Sequence, residues 1–549
     1  MAQSFNIYFE ESIKKNWELP ALSDFKGVAY HYKDIARKIE KIHILFEAAG
    51  VEKGDRIAIC GRNSSHWAVA MFATLAYGAV AVPVLHEFKA DNVHNIVNHS
   101  EAKLLCVGDM VWENLNDEMM PDLTGIILLN DFSVLKSKSE KLVEARRHLN
   151  ELFGKKFPER FTADDINYHK DSPEELAIIN YTSGSTGFSK GVMLPYRALH
   201  ANLKFCIENL PWLKTGDNAV SMLPMAHMYG LMIELFNPFS KGCHIHFLTR
   251  IPSPKIILDA FAECKPPIII AVPLIIEKII KNKVFPLLDK PVMKFLMKIP
   301  FVDNQLLSKI KSKLEESFGG NLKQIIVGGA ALNKEVEEFL RKIEFPITVG
   351  YGMTECAPLV SYAPWNETKQ GACGKLCNYM EARVNSKDPE NIAGELWLKG
   401  PNVMQGYFKN EEATEAVMEG EWMNTGDLAL IDSDGFIFIK GRSKNMILGP
   451  SGQNIYPEEI EDQLNNLPFV SESIVIEQEG KLTWLVYPDF ENGEKAGISQ
   501  KDMASQMEEN RINANKSLPA YSQIAKIKIY YEEFEKTPKR SIKRYLYQG

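Results

Sequence analysis

From Ala68 to Leu85 the chain carries no charged residue, and eighteen such positions are about what a bilayer-spanning helix needs. Gly78 and Pro83 divide this run into a helix that ends near Tyr77 and a β-rich AVAVPV stretch. That is the pattern of a buried helix feeding a buried strand, and the run is therefore read as core rather than membrane.

The same alternation extends along the chain. Helical periodicity from Tyr32 to Ala49 ends at Gly50, and RIAIC (Arg56 to Cys60) follows as a short apolar strand. ELAIINYTS, NAVSML, KPPIIIAVP and KQIIVGG are further strands separated by helical or loop stretches, which predicts an α/β architecture with a mainly parallel sheet. Beyond about Gly374 turn-rich β segments take over, including GELWLKG and GFIFIKGR. A short helix, PEEIEDQLNNL, then opens at Pro457, followed by a β and α mixture. The expected organisation is a large N-terminal domain, residues 1–442, with a β-rich subdomain, and a small α+β C-terminal domain, residues 443–549. Without repeats or low-complexity sequence between them, the junction reads as a short hinge.

Composition narrows the function. A chain of 549 residues, 45% hydrophobic and 24% charged, can bury more core than one ordinary domain holds. A formal charge of −8 creates no global field for a nucleic acid. The eight cysteines lie scattered between Cys60 and Cys377, and MAQSFNIYFEES lacks the basic flank and apolar run of a signal peptide, so reduced thiols and a cytoplasmic location are expected. Cys373 and Cys377 form a lone C-x-x-x-C pair, and His244 and His246 are spaced to share one face of a strand; neither pair reads as a metal site.

Residues Tyr181 to Gly191 read YTSGSTGFSKG. Gly184 and Gly187 let backbone amides approach an anion, Thr182, Ser183, Ser185 and Thr186 offer hydroxyl donors, and Lys190 supplies charge, so the loop suits phosphate. It is not a Walker A loop, because Phe-Ser-Lys follows Gly187. Standing alone it would equally be a polar surface turn. The chain also carries GYGMTE (Gly350 to Glu355), WMNTGD (Trp422 to Asp427), GRSKN (Gly441 to Asn445) and GQNIYPEEIE (Gly452 to Glu461). In this order the five segments resemble the motif series of the adenylate-forming superfamily of acyl-CoA synthetases, luciferases and peptide-synthetase adenylation domains, over nearly the whole chain.

The resemblance implies a division of labour. The loop from Thr182 to Lys190 would hold the ATP phosphates, Thr354 would contact the phosphoryl group under attack, and Glu355 would hold Mg²⁺. Gly329, Ala330 and Ala331, with Tyr351, Gly352 and Met353, would form the adenine slot, Asp427 would accept from the ribose hydroxyls, and Arg442 would lie nearby. Lys444 matches the hinge of a mobile C-terminal domain, and Gly452 the loop lining the thiol tunnel. Single-residue alternatives are plain: Asp427 as the closure of an Asx-turn, Glu355 as a solvated carboxylate, Tyr351 as core. The implied chemistry makes acyl-AMP and pyrophosphate first, then transfers the acyl group to coenzyme A.

The acid is less sharply marked. LPMAHMYG (Leu223 to Gly230) and VPLIIEKI (Val272 to Ile279) resemble segments of long-chain fatty acyl-CoA synthetases, and their Met and aliphatic content suits an acyl chain as well as ordinary core. His227 is either a gate between acyl pocket and thiol tunnel or the cap of the next helix. The family's terminal T-P-T-G-K-I-x-R appears here as KTPKRSIKR, with Ser541 where the adenylation lysine belongs and Lys539, Arg540 and Lys543 beside it. Either a neighbouring cation, Lys543 first and then Lys539, serves the site, or adenylation is slow. Ser189, where many relatives have Pro, is a smaller departure. Three functions follow: a fatty acid–CoA ligase, an acyl-AMP ligase loading an acyl carrier protein, or a catalytically reduced nucleotide- and acyl-binding homologue. A transmembrane segment is not expected, although peripheral membrane contact stays open.

Overall fold

The computed structural model describes residues 4–182, 190–249, 253–297, 299, 302–448, 453–537 and 542–548. The uncharged run lies in the core. Helix Ser65–Tyr77 starts at Ser64, whose hydroxyl accepts from Trp67 N at 3.1 Å, and stops at Gly78 with a φ of 85°. Every residue of the strand that follows, Val80–Val84, is buried. No helix among the described residues is long and apolar enough to cross a membrane.

That strand enters an eight-stranded sheet whose order is Gly406–Tyr407, Lys190–Pro195, Leu176–Thr182, Val80–Val84, Arg56–Cys60, Ala102–Val107, Gly125–Leu128, Val134–Ser137. The five strands from Leu176–Thr182 to Gly125–Leu128 run parallel, and the outer ones are antiparallel. Pro83 has no N–H to give, and its strand pairs with Leu176–Thr182 only at Ala81↔Ile178.

The remaining apolar segments do not extend this sheet. NAVSML supplies Asn218–Ser221 to a second, four-stranded sheet, while KPPIIIAVP and KQIIVGG supply Ile268–Ala271 and Gln324–Val327 to a three-stranded parallel sheet completed by Ile347–Val349. Apolarity marked these strands correctly, but which sheet each joins depends on long-range pairing that periodicity does not encode. A five-stranded antiparallel sheet around Gly394–Lys399 and Trp422–Ile431 forms the β-rich part. Past Ser443–Asn445 a smaller unit packs helices Pro457–Leu464 and Gln500–Ser517 on the sheet Val470–Gln478, Lys481–Pro488, Lys526–Ile529, with Trp484, Leu464 and Met507 in its own core. The architecture is thus a large α/β unit followed by a small α+β unit.

His43, on helix Tyr32–Ala48, is buried and donates from Nε2 to Ala73 O at 3.0 Å. Burial pushes its imidazole down to about 4, from an ordinary value of 6.5. A base depressed on folding gives stability that is complete above its unfolded pKa and is lost as pH falls through the folded one. Between pH 6.5 and 4 the large unit should lose on the order of 3 kcal/mol from this residue. Urea midpoints measured across that window should flatten in His43→Gln; an identical pH slope would remove His43 as a cause.

Candidate active site

The three-stranded parallel sheet sets the floor of a cleft. Val327 lies opposite Val349, so the loops leaving the carboxyl ends of these two strands start at the same level, and Gly350 N donates to Val327 O at 2.8 Å. Crevices at such strand ends are where α/β folds take ligands. Gly329, Ala330 and Ala331 stand exposed on the first loop. On the second, a Cβ at Gly352 would lie 2.4 Å from Pro358 O, so the tight approach of Tyr351–Gly352 to Pro358 requires glycine. Met353 follows, half-buried against the large core.

Tyr351 is half-buried, and its hydroxyl donates to Asp427 Oδ2 at 2.5 Å. Arg442 Nε pairs with the other oxygen at 2.9 Å, the two residues being cross-strand partners. Burial pushes the Asp427 carboxyl up from its ordinary range, against the downward pull of Arg442 and Tyr351. The TGD segment is not a free turn but an irregularity inside the strand Trp422–Ile431, with Gly426 at a φ of 70°. Asn424 closes the Asx-turn there by accepting from Gly426 N at 2.9 Å, and Thr425 Oγ1 accepts from Asp427 N at 3.0 Å. The turn is thus closed by its neighbours, and the Asp427 carboxylate faces Tyr351 and Arg442.

Thr354 and Glu355 occupy a single 3-10 turn, Thr354–Cys356. Glu355 Oε1 accepts from Tyr407 Oη at 3.0 Å, and its backbone carbonyl accepts from Met404 N at 2.9 Å. Lys190 Nζ lies 4.8 Å from the centre of the Tyr407 ring, and Thr182 is its cross-strand partner, so the two ends of the Ser/Thr/Gly loop sit beside Glu355. Ser183, Gly184, Ser185, Thr186 and Gly187 in that loop, and Ser189, Gly452, Lys539, Arg540 and Ser541, lie outside the described residues. Lys444 is depressed by burial and then by the charges of Arg442 and Lys190. Three cations gathered at one place suit a polyphosphate. Mg²⁺ fits this setting: Glu355 offers a hard oxygen, and this ion is commonly held by one or two carboxylates plus substrate phosphates. Among the described residues no group of three or more His, Cys, Asp or Glu gathers as a metal cage. The His244 and His246 rings lie 4.0 Å apart on their strand, tilted by 43°, and burial with His246 pushes His244 down to about 4.

His227 begins the short helix Met228–Gly230 without a side-chain cap, which removes the capping role. The segment around it is pinned from three sides. Asn180, two residues before Thr182, donates to Ala226 O at 2.9 Å; Asn63 donates to Leu223 O at 2.6 Å and accepts from Met225 N at 2.9 Å. Glu234, buried on a π-helical turn, accepts from Met222 N at 3.0 Å and Leu223 N at 2.9 Å. Burial pushes its carboxyl well up. Tyr229 reaches the other loop, with its ring 3.1 Å from a Cβ built on Gly328 and its hydroxyl donating to Ile326 O at 3.0 Å. His227 therefore lies between the strand Leu176–Thr182 and the Gly329 loop.

Lys543 is placed differently. Its ammonium pairs with Glu535 Oε2 at 3.2 Å, its N–H donates to Glu535 O at 2.8 Å, and Arg544 pairs with Glu461. These contacts lie within the small unit.

Sequence reasoning missed Tyr407, Asn202 and Asn402. Asn202 Nδ2 donates to Cys356 O at 2.8 Å while its Oδ1 accepts from Leu359 N at 2.9 Å; Asn402 Nδ2 donates to Cys356 O at 3.1 Å and to Leu359 O at 2.8 Å. The two buried amides hold the turn after Glu355, where Ala357 has a φ of 61°. Left-handed backbone at alanine costs about 1–2 kcal/mol, so the clamp is needed. Asn402→Ala should cost about 1–3 kcal/mol of stability and lower turnover more than ATP affinity. Thermal melts and steady-state kinetics check this, and wild-type kcat in a destabilised variant would make Asn402 purely structural.

The architecture is that of the adenylate-forming enzymes. The chain belongs to the AMP-binding enzyme family, which it matches over residues 9–408, and it matches the AMP-binding enzyme C-terminal domain over residues 444–548. It is 28% identical to the long-chain-fatty-acid–CoA ligase FadD15 of Mycobacterium bovis, covering 93% of this chain and 89% of the relative. It is 27% identical to a probable 4-coumarate–CoA ligase of Dictyostelium discoideum, covering 82% and 78%. The ATP-bound MatB structure from Rhodopseudomonas palustris superposes with a TM-score of 0.76 at 22% identity, covering 100% of this chain and 98% of that one.

Proposed function

We propose that the chain is a fatty acid–CoA ligase: it joins a medium- or long-chain carboxylate to AMP and passes the acyl group to coenzyme A. The observation that carries this reading is the chain of contacts Lys190–Tyr407–Glu355 and Tyr351–Asp427–Arg442, which draws four of the five motif segments into one cleft. The names of the fatty-acid-ligase relatives support the acyl substrate, as does the apolar LPMAHMYG segment beside the cleft; the coumarate-named relative is the reason the acid needs a direct test.

A carboxylate is a poor electrophile. In the proposed first step its oxygen attacks the α-phosphorus of ATP, a P–O bond to pyrophosphate breaks, and acyl-AMP forms. In the second the thiol sulfur attacks the acyl carbon, AMP leaves, and the thiol proton passes to solvent. Tyr351 and the Gly329–Ala331 loop would bound the adenine, Asp427 would take the ribose hydroxyls, and Lys190 with Arg442 would face the phosphates. Mg²⁺ on Glu355 would neutralise phosphate charge. Lys444, in the turn Ser443–Asn445 between the units, would be the hinge, with the boundary at Arg442–Ser443 and the eight unpaired cysteines suited to a reducing cytoplasm.

The Lys543–Glu535 pair favours a second reading, a homologue slow in the first step. Pyrophosphate release from a panel of carboxylic acids, with and without coenzyme A, separates them. Turnover with fatty acids and coenzyme A is expected. Acyl-AMP build-up without a thiol would favour loading of a carrier protein, and silence with ATP still bound would overturn the ligase reading.

A further inference from the structure

One face of the large unit, outside the cleft, combines outward apolar side chains with a dense local positive charge. Between residues 273 and 297 the chain forms one continuous helical run, Pro273–Ile279, Ile280–Val284 (π-helical) and Phe285–Leu288, followed by a separate short helix, Pro291–Leu296. Pro291 opens the second helix, where its missing N–H costs nothing. Leu274, Leu287, Val292 and Phe295 are 48%, 51%, 68% and 66% exposed. Val292 and Phe295, three apart on one helix, share a face. Beside them opens a surface groove of about 420 Å³ walled by Leu288, Met297, Leu307 and Phe339 and edged by Lys294 and Lys342.

The charge is as local as the apolarity. Residues 278–313 contain nine lysines against two aspartates, in a chain whose formal net charge is −8. Lys283, Lys290, Lys294 and Lys342 are exposed. Lys294 pairs with Asp289 at 3.0 Å, but both are solvated, and such a pair yields readily to a stronger anion. A soluble protein gains nothing from four exposed large aliphatic and aromatic side chains within some twenty residues unless something covers them. A second copy of this chain is a poor cover, because a two-fold contact would bring like-charged lysine clusters together.

We propose that this face docks on an anionic phospholipid surface. Leu287, Val292 and Phe295 enter the boundary between headgroups and acyl chains, while Lys283, Lys290, Lys294 and Lys342 take the phosphates. Apolar insertion with surrounding lysines is the arrangement that binds a negatively charged leaflet reversibly, and neither part suffices alone. The inference stands whether or not the acid is a fatty acid, since none of these residues belongs to the cleft.

Vesicle flotation with the full chain tests it, using phosphatidylcholine alone or mixed with phosphatidylglycerol, at low and at high salt. The wild-type protein should float with the mixed vesicles and be released by salt. Each lysine near such a surface is worth about fivefold in affinity, so Lys290→Glu with Lys294→Glu should lower partitioning by at least about twentyfold. Val292→Ser with Phe295→Ser should lower it on the order of tenfold. Both double variants change exposed positions, so their melting temperature and turnover of a short water-soluble acid should match the wild type. Four results would overturn the proposal: no flotation with either vesicle, equal flotation with phosphatidylcholine alone, undiminished binding by both variants, or a wild-type dimer in sedimentation that Val292→Ser with Phe295→Ser dissolves.

Discussion

Asp427→Ala should weaken ATP binding by about tenfold to a hundredfold for each ribose hydrogen bond lost, because a hydrogen bond to a charged acceptor is worth about 1.5–3 kcal/mol. The cost has a second source in this structure. Asp427 is buried and takes both the Tyr351 hydroxyl and the Arg442 guanidinium, so alanine strands a cation and a donor at the mouth of the cleft. Asp427→Asn keeps the shape and separates the two contributions. It should still lose ATP affinity through the weaker, neutral acceptor, while its melting temperature stays nearer the wild type than that of the alanine variant. Tyr351→Phe leaves the carboxylate and removes only one bond that orients it, so its effect on ATP should be the smallest of the three. Isothermal titration with ATP reads all of them, and an unchanged dissociation constant in a folded Asp427→Ala would remove the ribose assignment.

What could be read from the sequence divides along physical lines. Segments whose meaning is local were legible: Gly78 ends a helix because it adopts positive φ; the approach of Pro358 O that requires glycine at 352 was not. The motif segments were legible because their spacing and order are carried by the chain itself. Tyr407 was not, since QGYFKN has no mark of chemistry until an edge strand lays its ring under Lys190 and its hydroxyl on Glu355. Asn202, Asn402 and Asn63 are likewise ordinary asparagines in sequence and become clamps only through partners more than forty residues away. Glu234 left one trace, a lone carboxylate inside the apolar LMIELF, which a stricter reading of buried charge would have questioned. That Asn424 rather than Asp427 closes the Asx-turn was not legible, because the irregularity there is made by pairing with Gly394–Lys399, which sequence does not show.

Lys543→Ala should slow acyl-AMP formation by about a hundred to a thousandfold, the usual effect of losing a positioned donor worth on the order of 3–4 kcal/mol at a transition state. The proposed role rests on Ser541, which the motif resemblance sets at the family's lysine position and whose hydroxyl cannot offset the charge of a carboxylate meeting an α-phosphate. Lys543 is two residues away and described, and the structure pairs it with Glu535 at 3.2 Å on the small unit. Both side chains are partly solvated, so the pair is worth about 1 kcal/mol or less and opens at little cost. Glu535→Gln should therefore release Lys543 and raise the adenylation rate by up to about fivefold, leaving transfer from preformed acyl-AMP to coenzyme A unchanged. Ser541→Lys should then be nearly neutral, because a cation already serves the site. Single-turnover measurement of the two half reactions distinguishes the cases. A large acceleration by Ser541→Lys with no effect of Lys543→Ala would mean that the wild-type cleft lacks its cation. Wild-type adenylation in Lys543→Ala, Lys539→Ala and Ser541→Lys alike would show that no cation from this terminal segment takes part.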